Sequence, residues 1–442
     1  MKRKNTGAIL LAAALFFLLF SCASSPQAFI PMDTAVRSSN FDEALTIING
    51  KRGNRSWQFF YTPRNDILFY LDRGMILHFA GQFAESSRDL EMAERLIEEA
   101  FTRSLTQEIG TFLLNDNVRD YAGQDYENLY INVFNALNYY HRGDLEGALV
   151  EIRRLNEKLN VLADRYERAK NRVLESNQQI DINRLPVEAS RFSNSALARY
   201  LGVLFYRGTG RADSARIDYE ELRRAFALAP EVYYHPIPSS VADELYVPAG
   251  MGRLNVIAFT GLSPFIVEQN IFIPLFLPPP YHFARIAIPR MVVRPQIVRQ
   301  AEAVLCTGER FPLELLEDMG AVAVETFRSR QGLTVLKTTA RTIAKNTASL
   351  AAANAVSRNS NEGLGFLTGL FGKIFTEVSE RADTRLSRYF PSHALVGGFN
   401  LKPGNYVLTV NFYGAGGLVF SERREVIVRE NTLNLEQFVY LR

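Results

Sequence analysis

Prolines at 236, 238, 248, 264, 274, 278, 279, 280, 289 and 295 crowd the middle of this 442-residue chain. Proline fixes φ, lacks a backbone N–H and clashes with the preceding helical turn, so no long helix can cross this stretch. Helices are confined to the sequence before Pro230 and after residue 313, and the middle must be strands and turns. Residues 254–259 (LNVIAF) and 285–288 (RIAI) read as two such strands. Between them, residues 269–277 form an apolar, proline-bounded loop or edge strand. It either packs against the helical half or presents a patch to a partner or membrane.

Before Pro230 the pattern is helical. Residues 66–93 place apolar and small side chains at three- and four-residue steps with one break at Gly81-Gln82. That predicts a helix, a tight turn and a second helix. The spacing Gly74, Leu77, Gly81, Phe83, Ser86, Leu90, Ala93 resembles the tetratricopeptide pattern, in which small residues let antiparallel helices approach closely. It recurs as Ala136, Tyr139, Gly143, Leu145, Ala148, Ile152, Leu155, and more loosely as Gly202, Phe205, Gly208, Ala215, Tyr219, Leu222. Residues 40–45 (NFDEAL) look like the second half of one more unit. The copies lie roughly two repeats of about 34 residues apart, so residues 94–125 and 156–190 are expected to supply additional helices. A non-repeating helical bundle is the alternative, and either gives an all-α layer with a concave binding face.

The first residues carry an address. Lys2-Arg3-Lys4 precedes an apolar run over residues 8–20, shorter than the ~20 residues a membrane-spanning helix needs and suited to a signal peptide. It ends in Leu19-Phe20-Ser21-Cys22, which resembles the lipobox of bacterial lipoproteins. The resemblance implies cleavage before Cys22 and acylation of that residue, with each buried CH₂ adding ~0.8 kcal/mol to anchoring. Ala23 stands where an Asp would favour the inner membrane, so an outer-membrane anchor facing the periplasm is expected. Residues 24–27 read as a polar tether.

Beyond residue 313 the chain is expected to return to helix up to residue 358, with Lys337, Arg341 and Lys345 on one face of an Ala/Thr-rich amphipathic stretch. Residues 363–375 are apolar but too short to span a bilayer. Gly372-Lys373 lacks the earlier glycine and the following Ser or Thr of a phosphate loop. Residues 396–401, 406–412, 418–421, 424–428 and 438–441 read as strands of a small antiparallel unit. LKPGNYVLTVNF resembles short surface-layer-associated β-domains with a Leu-x-Pro-Gly turn.

A search for catalytic chemistry finds little. His78, His141, His235, His282 and His393 show no ligand spacing, and Cys306 has no neighbouring base or acid. The acid pairs Glu98-Glu99, Glu220-Glu221 and Glu317-Asp318 read as solvated helix faces. Removing Lys2, Arg3 and Lys4 with the leader leaves 47 basic residues against 47 acidic ones, a poor footprint for nucleic acid. With Cys22 acylated, no disulfide is expected, and no metal or cofactor.

Together the lipobox, GDLEGALVEIRRLN, LFYRGTGRADSARIDYEEL, ARIAIP, RTIAKNTASLAAANA, ERADTR and LKPGNYVLTVNF are similar to a widespread group of bacterial lipoproteins with no established activity. The resemblance implies an envelope role beside other lipoproteins, some curli-secretion-like or penicillin-binding-protein-activator-like. The expected architecture is α+β: a signal peptide (1–21), an acylated tether (22–36), tetratricopeptide-like hairpins (37–235), a proline-rich strand/helix core (236–330), an Ala-rich helical segment (331–390) and a C-terminal β unit (391–442). The expected function is a non-enzymatic, membrane-anchored scaffold that binds cell-envelope proteins. A structural subunit of an envelope or secretion oligomer is the alternative, and a cell-wall hydrolase is third.

Overall fold

The computed structural model describes residues 29–50, 61, 63–106, 120–176, 190–275, 282–359 and 382–442. Its first half is a succession of antiparallel helix pairs: α1 (Ile30–Arg37) with α2 (Phe41–Gly50), α3 (Asp66–Phe79) with α4 (Phe83–Thr106), α5 (Asp125–His141) with α6 (Leu145–Ser176), and α7 (Ala196–Gly208) with α8 (Ala212–Leu228).

One turn closes every pair. Ser39, Gly81, Gly143 and Gly210 take positive φ, between 58° and 81°. The next residue's N–H reaches back to a carbonyl of the first helix: Asn40 to Ala35, Gln82 to Leu77, Asp144 to Tyr139 and Arg211 to Tyr206. This is the Schellman closure, and it needs a left-handed residue that glycine supplies without a Cβ penalty. The third copy is therefore punctuated by Gly210, whereas Gly208 lies inside α7. The described parts of 94–125 and 156–190 do not add a helical pair. Instead α4 and α6 run on for 24 and 32 residues, because their apolar periodicity continues without a stop signal.

After a short 3₁₀ segment (Ser239–Leu245) the strands begin: β1 (Gly252–Thr260), β2 (Phe265–Leu275), β3 (His282–Val292), β4 (Gln300–Leu305) and β5 (Arg310–Asp318). Helix α9 (Met319–Asn359) starts only at Met319, and the expected helix from 313 gives way to the end of β5. Four more strands follow: β6 (His393–Leu401), β7 (Gly404–Gly414), β8 (Gly417–Val428) and β9 (Asn434–Tyr440).

The C-terminal strands do not form a unit of their own. They interleave with the earlier ones in a seven-stranded sheet, order β8-β7-β4-β5-β6-β1-β9, antiparallel except for the β1–β9 pair. The sheet nearly closes. Across the gap between its edges Phe420 stacks on Tyr440 at 4.9 Å, and Arg424 donates to the Gln437 carbonyl at 2.7 Å. Leu254, Val256, Ala258, Leu408, Val410 and Phe412 fill the interior of this barrel. The intervening residues of β1, Ile257 and Phe259, face outward into the helical core, where Phe259 meets Phe134 at 5.2 Å. Strand β1 is buried along its whole length because it separates two cores.

β2 and β3 pair only with each other. Gln331 of α9 donates to the Pro289 carbonyl at 2.9 Å, so position 289 faces out of the ribbon. Its partner Glu268 and, by the two-residue period, Pro274 face outward too. A proline at an outward position leaves no ladder bond unmade and discourages a further strand.

If the turn is the organising device, Ser39→Gly should raise unfolding stability by about 0.5–1 kcal/mol and Gly143→Ala should lower it by about 1–2 kcal/mol, read from denaturant midpoints.

Candidate functional site

The small residues singled out by spacing lie where helices touch. A Cβ on Gly74 would come within 2.8 Å of Leu90, and one on Gly202 within 2.0 Å of the Asp218 carboxylate. Ala136, Ala148 and Ala215 are buried. Gly81 and Gly143 make the turns described above. These residues are distributed through the pairs and are not gathered into one site. Cys22 lies outside the described residues.

The residues that do converge are buried carboxylates, beginning with one that spacing assigned to a solvated helix face. Glu317 is fully buried at the end of β5, just after a bulge in its pairing with β6. Its Oε1 accepts from Tyr130 (2.7 Å) and Ser195 (2.9 Å), and its Oε2 from Tyr233 (2.6 Å) and the Leu197 amide (3.2 Å). Ser195 also caps α7 through the Ala198 amide, so Glu317 sits at that helix's positive end. Burial holds its carboxyl above the usual range, opposed by these donors. The neighbouring Asp318 accepts from the Ala321 amide at the start of α9 (2.8 Å) and from Tyr234 (3.0 Å).

A second set of carboxylates grips residues 382–392, of which 382–390 fall in the segment expected to be helical; they are non-helical here and threaded between helices and sheet. Asp72 of α3 accepts from the Ser387 hydroxyl (2.7 Å) and the Arg388 amide (2.8 Å) through Oδ1, and from Tyr61 (2.8 Å) through Oδ2. Glu127 of α5 accepts from the Ser387 amide (2.6 Å), Tyr121 (2.7 Å) and the Gln124 amide (2.7 Å). Asp33 of α1 pairs with Arg388 and accepts from Tyr389. Phe390 wedges between Tyr126 and Phe134. The helices thus already hold an extended peptide, and it is their own chain.

Two further polar seams tie neighbouring elements. Glu94 of α4 meets Arg154 and Lys158 of α6 and the Asn132 amide of α5. Glu244 meets Arg207 of α7 and Arg253 of β1, with Asn255 beside them. His78 bridges Asn138 at Nδ1 (2.7 Å) and Gln437 at Nε2 (2.8 Å), joining α3, α5 and β9. Burial lowers its imidazole to about 4, so it is neutral at pH 7. Cys306 is exposed. Among the described residues no group of three or more His, Cys, Asp or Glu is disposed to hold a metal ion. Chemically, these clusters orient backbone amides and helix ends rather than facing an open cleft.

Sequence spacing missed these acids because most of their partners lie far away along the chain. Only the Gln124-x-x-Glu127 capping box carried a local signal. No family model, curated protein or solved structure matches the chain.

Asp72 and Glu127 have carboxyls raised to about 6 and about 7, chiefly by burial. The folded chain therefore retains protons that the unfolded chain releases, and this contribution is lost as pH rises through those values. Asp72→Asn preserves the acceptor for Ser387 and Arg388 and turns a donor toward the Tyr61 hydroxyl. Between pH 5 and pH 7.5 it should flatten the fall in thermal stability relative to the native chain by about 1 kcal/mol or more. An unchanged pH slope would contradict the assignment.

Proposed function

We propose that the chain is a lipid-anchored envelope lipoprotein whose folded body serves as a protein–protein interaction scaffold. The observation that carries this reading is the order of basic run, apolar run and Leu19-Phe20-Ser21-Cys22, followed within a few residues by the first helix at Ile30. An acylated Cys22 would hold the body against the membrane on a short tether, consistent with an outer-membrane lipoprotein facing the periplasm.

The partner surface we assign is the outer side of the second helices. The groove along the first helices α1, α3 and α5 is occupied by residues 382–392, whereas Val150 and Val161 on α6 and Ile217 on α8 are exposed. Isolated exposed apolar residues are common, but three on the outer helices of an array supply anchors of the kind that interface centres use. Nothing in the buried carboxylate clusters requires substrate chemistry, so a non-enzymatic role is the simpler reading. Assembly of copies through the β2–β3 ribbon is less favoured, because both of its edges carry an outward-facing proline.

Metabolic labelling with palmitate should mark the native chain and not Cys22→Ala. Crosslinking in envelope preparations should then recover a discrete protein whose yield falls with Val150→Glu or Ile217→Glu. Absence of label in the native chain would overturn the anchor. A partner indifferent to both helix variants would overturn the assigned surface.

A further inference from the structure

Three arginines gather where the tether meets the body. The guanidinium of Arg388 lies 4.3 Å over the ring of Phe29, the residue immediately before α1. Arg294 lies within electrostatic reach of Arg388, Arg37 and Asp33. Arg388 is matched by Asp33. Arg37 is exposed and has no carboxylate within ion-pair distance among the described residues. Arg294 likewise has no ion pair there: its Nε donates to the Ser263 carbonyl at 2.8 Å, and its guanidinium lies 5.4 Å over Phe265.

Three guanidiniums share the one carboxylate of Asp33 at this face, and the unmatched positive charge raises the local potential, which an anionic surface relieves. Exposed apolar residues flank the same arginines: Ile30 is 56% exposed, Val293 41% and Phe265 38%. Guanidiniums interleaved with apolar side chains match a bilayer interface, where phosphates meet the first acyl carbons.

We propose that this face docks on an anionic phospholipid bilayer, with Arg37 and Arg294 against lipid phosphates and Ile30, Val293 and Phe265 at the headgroup boundary. The proposal rests on the lipid-anchor reading. The tether from Cys22 to Ile30 can extend at most about 25–30 Å, so it keeps this face, the one it leaves from, closest to the membrane.

The test uses the full chain in nanodiscs of phosphatidylcholine alone and of phosphatidylcholine with phosphatidylglycerol, followed by hydrogen–deuterium exchange. Amides in residues 30–38 and 292–299 should exchange about threefold or more slowly on the anionic discs than on the neutral ones. The difference should vanish at about 0.5 M salt, where screening falls to a few ångströms, and in Arg37→Glu, whose exposed site leaves the fold intact. Equal exchange on the two disc types, or a difference unaffected by salt and by Arg37→Glu, overturns the proposal. The intact mass of the same sample reads the anchor separately. An unmodified Cys22 overturns the anchor reading; the unanchored chain is then incubated with vesicles of the same two compositions, and the lipid contrast in exchange still decides the docking face.

Discussion

The Glu317 carboxylate holds the helical half and the barrel in register. It is fully buried, and an ionised carboxylate without partners in such a place would cost several kcal/mol. The cost is offset only if Tyr130 of α5, Ser195 and the first turn of α7, and Tyr233 after α8 all sit where their donors can reach it. Hydrogen bonds are directional over a few tenths of an ångström, whereas apolar packing tolerates sliding. One side chain on β5 thereby fixes two helical pairs relative to the sheet. The bulge between Leu315 and Glu317 belongs to the same device, since an inserted residue re-aims the side chain that follows it.

The same principle governs residues 382–392. Paired helices leave a groove between their first members, and an extended segment can fill it only if its backbone amides find acceptors. Asp72 and Glu127 supply them from α3 and α5, and Phe390 supplies the apolar wedge. The inner surface is thus spent on the chain itself. The proposed partner surface therefore lies on the outer helices, and the proposed membrane contact on the face that carries Arg37 and Arg294.

Much of the helical half was legible because its causes are local. Gly81 and Gly143 announce left-handed turns, and Gly74 and Gly202 announce close helix contacts, from neighbours a few residues away. Gly208 misled for an equally local reason: it lies two residues before Gly210, and spacing alone could not say which of them turns. Strand β4 went unread, and the expected helix from residue 313 overlaps the last six residues of β5. Glu317-Asp318 resembled any charged pair, because nothing nearby reveals that its donors come from residues 130, 195, 197, 233 and 234.

By itself, the sequence determined where helices are barred by proline, where most of the pairs turn, and that strands dominate after Pro230. Proline stereochemistry, glycine backbone freedom and hydrophobic periodicity act within a few residues, so they are written locally. Only the tertiary structure decided that the last four strands complete one nearly closed barrel with β1, β4 and β5, that residues 382–392 fill the helical groove, and which acids are buried. Those outcomes depend largely on ladder pairing and donor convergence between residues from 75 to 316 positions apart. Such partners are chosen by the free energy of the whole packed chain, not by any segment of it.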